Sequence, residues 1–451
     1  MPRTGYKSNN ALSIELDRWQ TFTPGDVISG MVQRTAPLVD NNTTVTLRLF
    51  GRAKSKITVK HQHGSSNYRN RFNFFDDSSA WTLFEGPLQV SSDTQSWRFE
   101  AQIPIKPAAS ALAATKNPDT SFLPLDPQNI EGSTIPSVFY YKGANFWSST
   151  TVIAHVEYYL EAELKPSKGS SCNATLPLFV YTPGSYLSAK DTRFDMVPIS
   201  ECLELPPSLV APNAHGLGAK KKSFFSRSKV PEFRFNVNVG YPAQVQLGNE
   251  ITFFIGVVPL GEDADITEQK PSLTFRLEAF ELTLKSTTNA VCPGTFSPKR
   301  VAVMEKYTSS TKDVLKNLGD AISLPFGLDC KPLNIGNVLQ LVLENDGIYV
   351  AGQRIGKAFK PQLAPDFTTF CISHTHQISW ELRVEVCGKI RKIAGEASVQ
   401  LLGPSREKIE ATMSELSDDE KKERLKLIMG ATETGIEGLT VISDIVQAFA
   451  S

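Results

Sequence analysis

Apolar and polar residues alternate one for one along most of this chain. The alternation is strong over residues 13–16, 27–32, 45–50, 55–59, 97–103 and 152–164. It resumes over 233–239, 251–258, 273–284, 338–343, 377–386 and 397–402. A period of two sets one face of each segment on a core and the other in water. These segments therefore predict antiparallel strands rather than helices or parallel βαβ units. Thr23-Pro24-Gly25-Asp26 predicts a β-turn between the first two strands, with proline fixing φ at one central position and glycine accepting positive φ at the next. The polar stretches 61–79 and 107–132 offer little to bury and are expected to be loops.

The strands come in two copies. Pro24-Gly25-Asp26-Val27-Ile28-Ser29-Gly30 and Val45-Thr46-Leu47-Arg48-Leu49 return as Leu247-Gly248-Asn249-Glu250-Ile251-Thr252-Phe253 and Leu273-Thr274-Phe275-Arg276-Leu277. Likewise Val156-Glu157-Tyr158-Tyr159-Leu160 returns as Ile378-Ser379-Trp380-Glu381-Leu382. Three blocks in one order at a nearly constant offset imply a duplicated domain, and 451 residues exceed what one core usually holds. The expected organisation is a β-sandwich over residues 1–185, a linker over 186–229, a second sandwich over 230–403 and a tail over 404–451. In the tail, Ser417 stands three residues before Glu420 as a capping box. Leu425, Ile428 and Met429 form one apolar stripe, and Ile436, Leu439, Ile442 and Val446 form another. Gly430, Gly435 and Gly438 favour two short helices over one long one. Packing on the protein's own sandwich and a displaceable latch are both open for this tail.

Composition narrows the function. With 41% hydrophobic residues, 21% charged residues and zero formal net charge, no global field attracts nucleic acid. The amino terminus lacks the apolar core of a signal peptide and no long apolar run appears, so a cytoplasmic location is expected. Cys172, Cys202, Cys292, Cys330, Cys371 and Cys387 lie far apart and are expected to be reduced thiols. Nucleotide-binding and nucleophile-elbow motifs are lacking, so no enzyme chemistry and no cofactor are expected. His61/His63 and His374/His376 each place two imidazoles on one strand face, but a metal needs further ligands and none is nominated.

The linker carries the one local site candidate. Lys220, Lys221, Lys222, Arg227 and Lys229 surround Phe224 and Phe225, a mixture suited to anionic lipid or an acidic partner. A solvated linker with incidental charge is the plainer alternative. Ser223, Ser226 and Ser228 stand among these cations, where phosphorylation would cancel charge.

Pro24-Gly25-Asp26 leading into residues 27–32, then 45–51, then Ile135-Pro136-Ser137-Val138-Phe139 with 154–162, and finally 364–372 with 378–386 follow one another in the chain. In these segments and their order the chain resembles the arrestins, and among them the fungal α-arrestin-like proteins. The resemblance implies an all-β fold of two tandem immunoglobulin-like, arrestin-type β-sandwiches with a short helical C-terminal tail. It also implies a non-enzymatic adaptor or scaffold, peripheral at the plasma membrane or endosomes, that binds cytoplasmic segments of membrane cargo or signalling partners in endocytosis and trafficking. Such fungal proteins commonly recruit a WW-domain ubiquitin ligase through Pro-Pro-x-Tyr. Here the sole adjacent prolines, Pro206-Pro207, are followed by Leu209 where tyrosine should stand, so any ligase machinery is expected to be reached indirectly. The alternative is a retromer-like sorting or vesicle-coat subunit with the same double-sandwich plan.

Overall fold

The computed structural model describes residues 4–91, 93–113, 118–125, 134–145, 149–184, 193–204, 232–260, 273–317 and 322–414. It is 62% strand and 7% helix, an all-β chain built of several mostly antiparallel sheets.

The first half contributes β1 (Ser13–Leu16), β2 (Val27–Arg34), β3 (Leu38–His61), β4 (Gly64–Asn73), β5 (Ala80–Val90), β6 (Gln95–Gln102), β7 (Phe139–Asn145), β8 (Thr150–Lys165) and β9 (Cys172–Leu178). One sheet has the order β1-β2-β6. The other has the order β4-β3-β8-β7, with β5 also pairing β3 and β9 also pairing β8. Ile28, Val32, Trp97 and Phe99 of the smaller sheet share one apolar core with Val45, Leu47, Leu49, Val156 and Leu160 of the larger. Removal of these side chains from water is the main drive for the two sheets to stack.

Two expectations change here. Residues 45–50 and 55–59 belong to a single 24-residue strand. Gly51 between them is no turn: a Cβ there would lie 2.7 Å from the Phe75 ring and 2.8 Å from Tyr158, so glycine lets an aromatic pack against the strand. The stretch 61–79 is no loop either, because β4 pairs residue for residue with β3 from Arg52 to His61 and Asp77–Ser79 form a 3-10 turn. The alternation of polar with other residues hides such a strand when both faces are wet. Of 107–132, the described part holds the short helix Ala109–Ala113 and the turn Pro118–Thr120.

The second half contributes β10 (Phe194–Glu204), β11 (Glu232–Pro242), β12 (Gln244–Gln246), β13 (Phe254–Pro259), β14 (Phe275–Cys292), β15 (Lys299–Ser310), β16 (Ile322–Leu324), β17 (Leu333–Asn334), β18 (Leu341–Glu344), β19 (Gly347–Val350), β20 (Gln353–Ile355), β21 (Phe367–Thr368), β22 (Ile372–Val386) and β23 (Lys389–Leu402). Its sheets run β10-β11-β13-β17, β12-β23-β22-β14-β15 and β18-β19-β20, with β16 on β14 and β21 on β22. Phe233, Phe235, Phe253 and Ile255 meet Phe275, Leu277, Leu282, Trp380 and Leu382 in a second core. Residues 338–343 are not one strand: the helix Ile335–Leu339 is capped by Asn334, Gln340 turns left-handed at φ 46°, and β18 follows. Within the expected linker, β10 pairs along its length with β11. Residues 205–231, with the whole basic cluster and its serines, lie outside the described residues, as do Ser417, Glu420 and the tail's apolar stripes.

The sequence repeat is legible in three dimensions. Gly25 and Gly248 both take positive φ, 94° and 80°, in the turns that open their halves. β8 lies antiparallel on β3 as β22 lies on β14. Tyr158 and Trp380 hold equivalent places, and each is covered by a glycine on a neighbouring strand, Gly51 and Gly395.

Candidate functional site

The end of β14, the start of β15 and the start of β22 press into the open end of the first core. Ala290, Val291, Cys292, Val303, Phe370, Cys371 and Ile372 are buried with first-half residues rather than with their own. The Ser55 hydroxyl donates to the Val291 carbonyl at 2.9 Å, and the Asn70 amide donates to the same oxygen at 3.1 Å. Phe72 stacks on Phe370 with ring centroids 3.8 Å apart, and Phe139 meets Phe367 edge-on at 4.8 Å. Tyr141 donates to Glu305 at 3.0 Å, where burial, with that carboxylate, pushes the phenol well above its ordinary range. Burial likewise raises the Cys292 thiol and pushes Cys371 up to about 12, so neither is an activated nucleophile.

Beside this joint lies a cleft of about 400 Å³, with one wall from residues 134–139 and 182–184 and the other from 364–368 and 400–403. The first wall is tied down where Thr182 donates its hydroxyl to the Ile135 carbonyl at 2.6 Å and Tyr158 donates to the Pro136 carbonyl at 2.7 Å. In the second wall Asp366 accepts from the Leu401 amide at 3.2 Å and pairs with His376. Gly403 approaches Tyr181 so closely that a Cβ would sit 1.8 Å from the phenol oxygen. The cleft mixes polar groups such as Ser137, Thr368 and Gln400 with apolar ones such as Val138, Phe367 and Leu402. Such a lining suits a peptide or small polar ligand better than a purely apolar one.

The second histidine pair stands at this joint. His374 bonds Thr288 through Nδ1 at 2.9 Å and packs on the Phe139 ring at 5.0 Å, while the two imidazoles meet edge-on at 4.8 Å. Burial, with His376 beside it, holds His374 well below its ordinary value, so it is neutral. Among the described residues no group of three or more His, Cys, Asp or Glu is placed to hold a metal ion. His61 bonds Ser66 at 3.0 Å on the exposed β3–β4 hairpin, and His63 is exposed at its tip.

A buried ion cluster was not foreseen from the sequence. Glu157 on β8 accepts from Arg52 and Lys54 on β3, each at 2.6 Å, and from the Thr4 amide at 2.8 Å. Burial alone would raise its pKa, but the Lys54 hydrogen bond, the Thr4 amide and the two positive charges outweigh it and hold the carboxyl at about 2. Burial lowers Lys54 in turn, against the pull of Glu157 and with the push of Arg52 and Arg71. Lys54 and Glu157 stand at outward-reading places of two alternating segments, so the alternation assigns them to water and gave no signal for this cluster.

The helix Arg406–Ser414 touches both repeated turns: Arg406 reaches Asp26 at 3.4 Å, and Lys408 donates to the Gly248 carbonyl at 3.1 Å and pairs with Glu344 at 3.3 Å. No helix among the described residues is long and apolar enough to cross a membrane. No known family model matches the chain, and comparison with curated proteins gives no match.

Proposed function

We propose that the two halves are tandem arrestin-type β-sandwiches and that the protein is a non-enzymatic adaptor or scaffold. Its partners are cytoplasmic segments of membrane cargo or signalling proteins, in endocytosis or trafficking, with any ubiquitin ligase reached through another protein. The observation that carries this is the joint itself. Two copies of one strand plan meet through shared apolar packing, and a mixed polar and apolar cleft opens between Ile135–Phe139 of one copy and Ala364–Thr368 of the other. A cleft between two duplicated units can grip an extended segment without chemistry. β10, the terminal strand of its sheet, exposes Met196 and Val197 and offers a further edge for strand addition.

Proximity labelling in the native cell tests the proposal. Enrichment of membrane transporters or receptors, with or without ligase components, is the expected outcome, and a labelled set containing neither overturns it. Recovery of one fixed stoichiometric complex would favour a coat subunit instead.

A further inference from the structure

The outer face of the larger first-half sheet carries a charge array that the described residues leave unbalanced. Ala53, Ser55 and Ile57 of β3 turn into the core, which leaves Arg52, Lys54, Lys56 and Lys60 on the opposite face. The antiparallel register sets Lys54 opposite Arg71 and Lys56 opposite Arg69 on β4. On the other side Lys56 faces Ile153 of β8, which in turn faces Lys142 of β7. Like charges directly opposite on neighbouring strands destabilise a sheet, and here two such pairs stand in consecutive rows. The carboxylate within the array, Glu157, is already held by Arg52, Lys54 and the Thr4 amide. None of Lys56, Arg69, Arg71 and Lys142 pairs with a carboxylate among the described residues. The array therefore carries positive charge that no carboxylate among the described residues offsets.

Its shape favours one class of anion. Neighbouring strands lie about 4.8 Å apart and same-face residues about 7 Å apart along a strand, so Lys56 and Arg69 are spaced to close on one phosphate, with Arg71 one row away. The cations spread across β4, β3 and β7 instead of following one strand, which matches a planar surface better than a single extended peptide. We propose that this face docks the protein on membranes bearing phosphoinositide headgroups, with Lys56, Arg69, Arg71 and Lys142 as the phosphate-binding cations, Lys54 being buried against Glu157. Its residues are not those of the basic linker cluster. It deepens the adaptor reading, and the two fail separately, because vesicles report the face and proximity labelling reports the cargo.

The test is sedimentation of the full chain with phosphatidylcholine vesicles, with and without a small fraction of phosphatidylinositol bisphosphate. Binding only to the phosphoinositide vesicles is expected. The triple variant Lys56→Gln, Arg69→Gln, Arg71→Gln should weaken it by roughly tenfold or more, while its melting temperature stays equal or rises because the like-charge pairs are gone. Lys56→Gln with Lys142→Gln is the second, milder variant and should weaken binding in the same direction. A chain carrying Lys220→Gln, Lys221→Gln and Lys222→Gln should retain most of its binding. No vesicle binding, equal binding to phosphatidylcholine alone, or unchanged binding by both sheet variants overturns the proposal. So does a doubly phosphorylated peptide that binds this face when vesicles do not.

Discussion

Ser55 and Val291, 236 positions apart, are joined by a 2.9 Å hydrogen bond from the serine hydroxyl to the valine carbonyl. Asn70 donates to the same oxygen at 3.1 Å, so one carbonyl of the second half is satisfied twice by the first. A buried carbonyl left without a donor costs about 1–3 kcal/mol, whereas losing one of two donors costs less. Ser55→Ala and Asn70→Ala are each expected to lower unfolding stability by under about 1 kcal/mol. The double variant should lose more than their sum, about 2 kcal/mol, in denaturant titration. Strict additivity would show that the carbonyl is not the shared partner.

The Glu157 cluster makes a prediction with a definite pH sign. Removing one partner of a buried ion cluster leaves charge uncompensated, so Glu157→Gln should cost about 3 kcal/mol at neutral pH. The folded carboxyl sits at about 2, below its ordinary value near 4.5. Its contribution is therefore complete above the ordinary glutamate range and is lost as pH falls from there towards 2. Stability measured against pH should show this acid loss in the native chain and a shallower one in Glu157→Gln. Parallel curves would rule the assignment out.

Gly51 shows what alternation reports and what it omits. A glycine inside an alternating run signals either a break or a close approach, and the pattern alone does not distinguish them. Here an aromatic floor decides. Gly51→Ala would push a methyl against Phe75 and Tyr158, and overpacking of this kind costs about 1–3 kcal/mol, readable as a fall in denaturation midpoint. Gly352→Ala meets no neighbour within 4 Å and should lose only the strain of a residue at φ 76°. The order of the two losses is the check.

Most core-facing strands were legible because Val27–Arg34 and Ile372–Val386 bury every second side chain, while Thr150–Lys165 does so towards its ends and buries both faces from Ala154 to Leu160. β4 was not, since Gly64–Asn73 leaves nearly all its residues partly or fully in water and draws its order from pairing with β3. The joint was hidden for another reason. Ser55, Asn70, Val291 and Phe370 are ordinary residues in ordinary strands, and only the closing of two distant segments makes them neighbours. His374 and His376 were visible as a pair, but their partners Thr288 and Asp366 come from other segments and are fixed by register.

Lys408 tests whether the carboxy-terminal helix is held by charge. Its ammonium pairs with Glu344 at 3.3 Å and caps the Gly248 carbonyl at 3.1 Å. Burial raises the Glu344 carboxyl despite Lys408, with Asp346 adding to the rise, so this carboxylate is costly to keep charged. In Lys408→Met the cation is gone and the Gly248 carbonyl loses a donor, which should cost about 1–3 kcal/mol at pH 7. A group with a raised folded pKa favours folding below its unfolded value and loses that contribution as pH rises. The deficit of Lys408→Met should therefore be largest at neutral pH and shrink as pH falls through the glutamate range, where a protonated Glu344 needs no cation. Denaturation of both chains from pH 7 to pH 4 measures it. A deficit that stays constant with pH would assign the contact to packing and the Gly248 carbonyl alone.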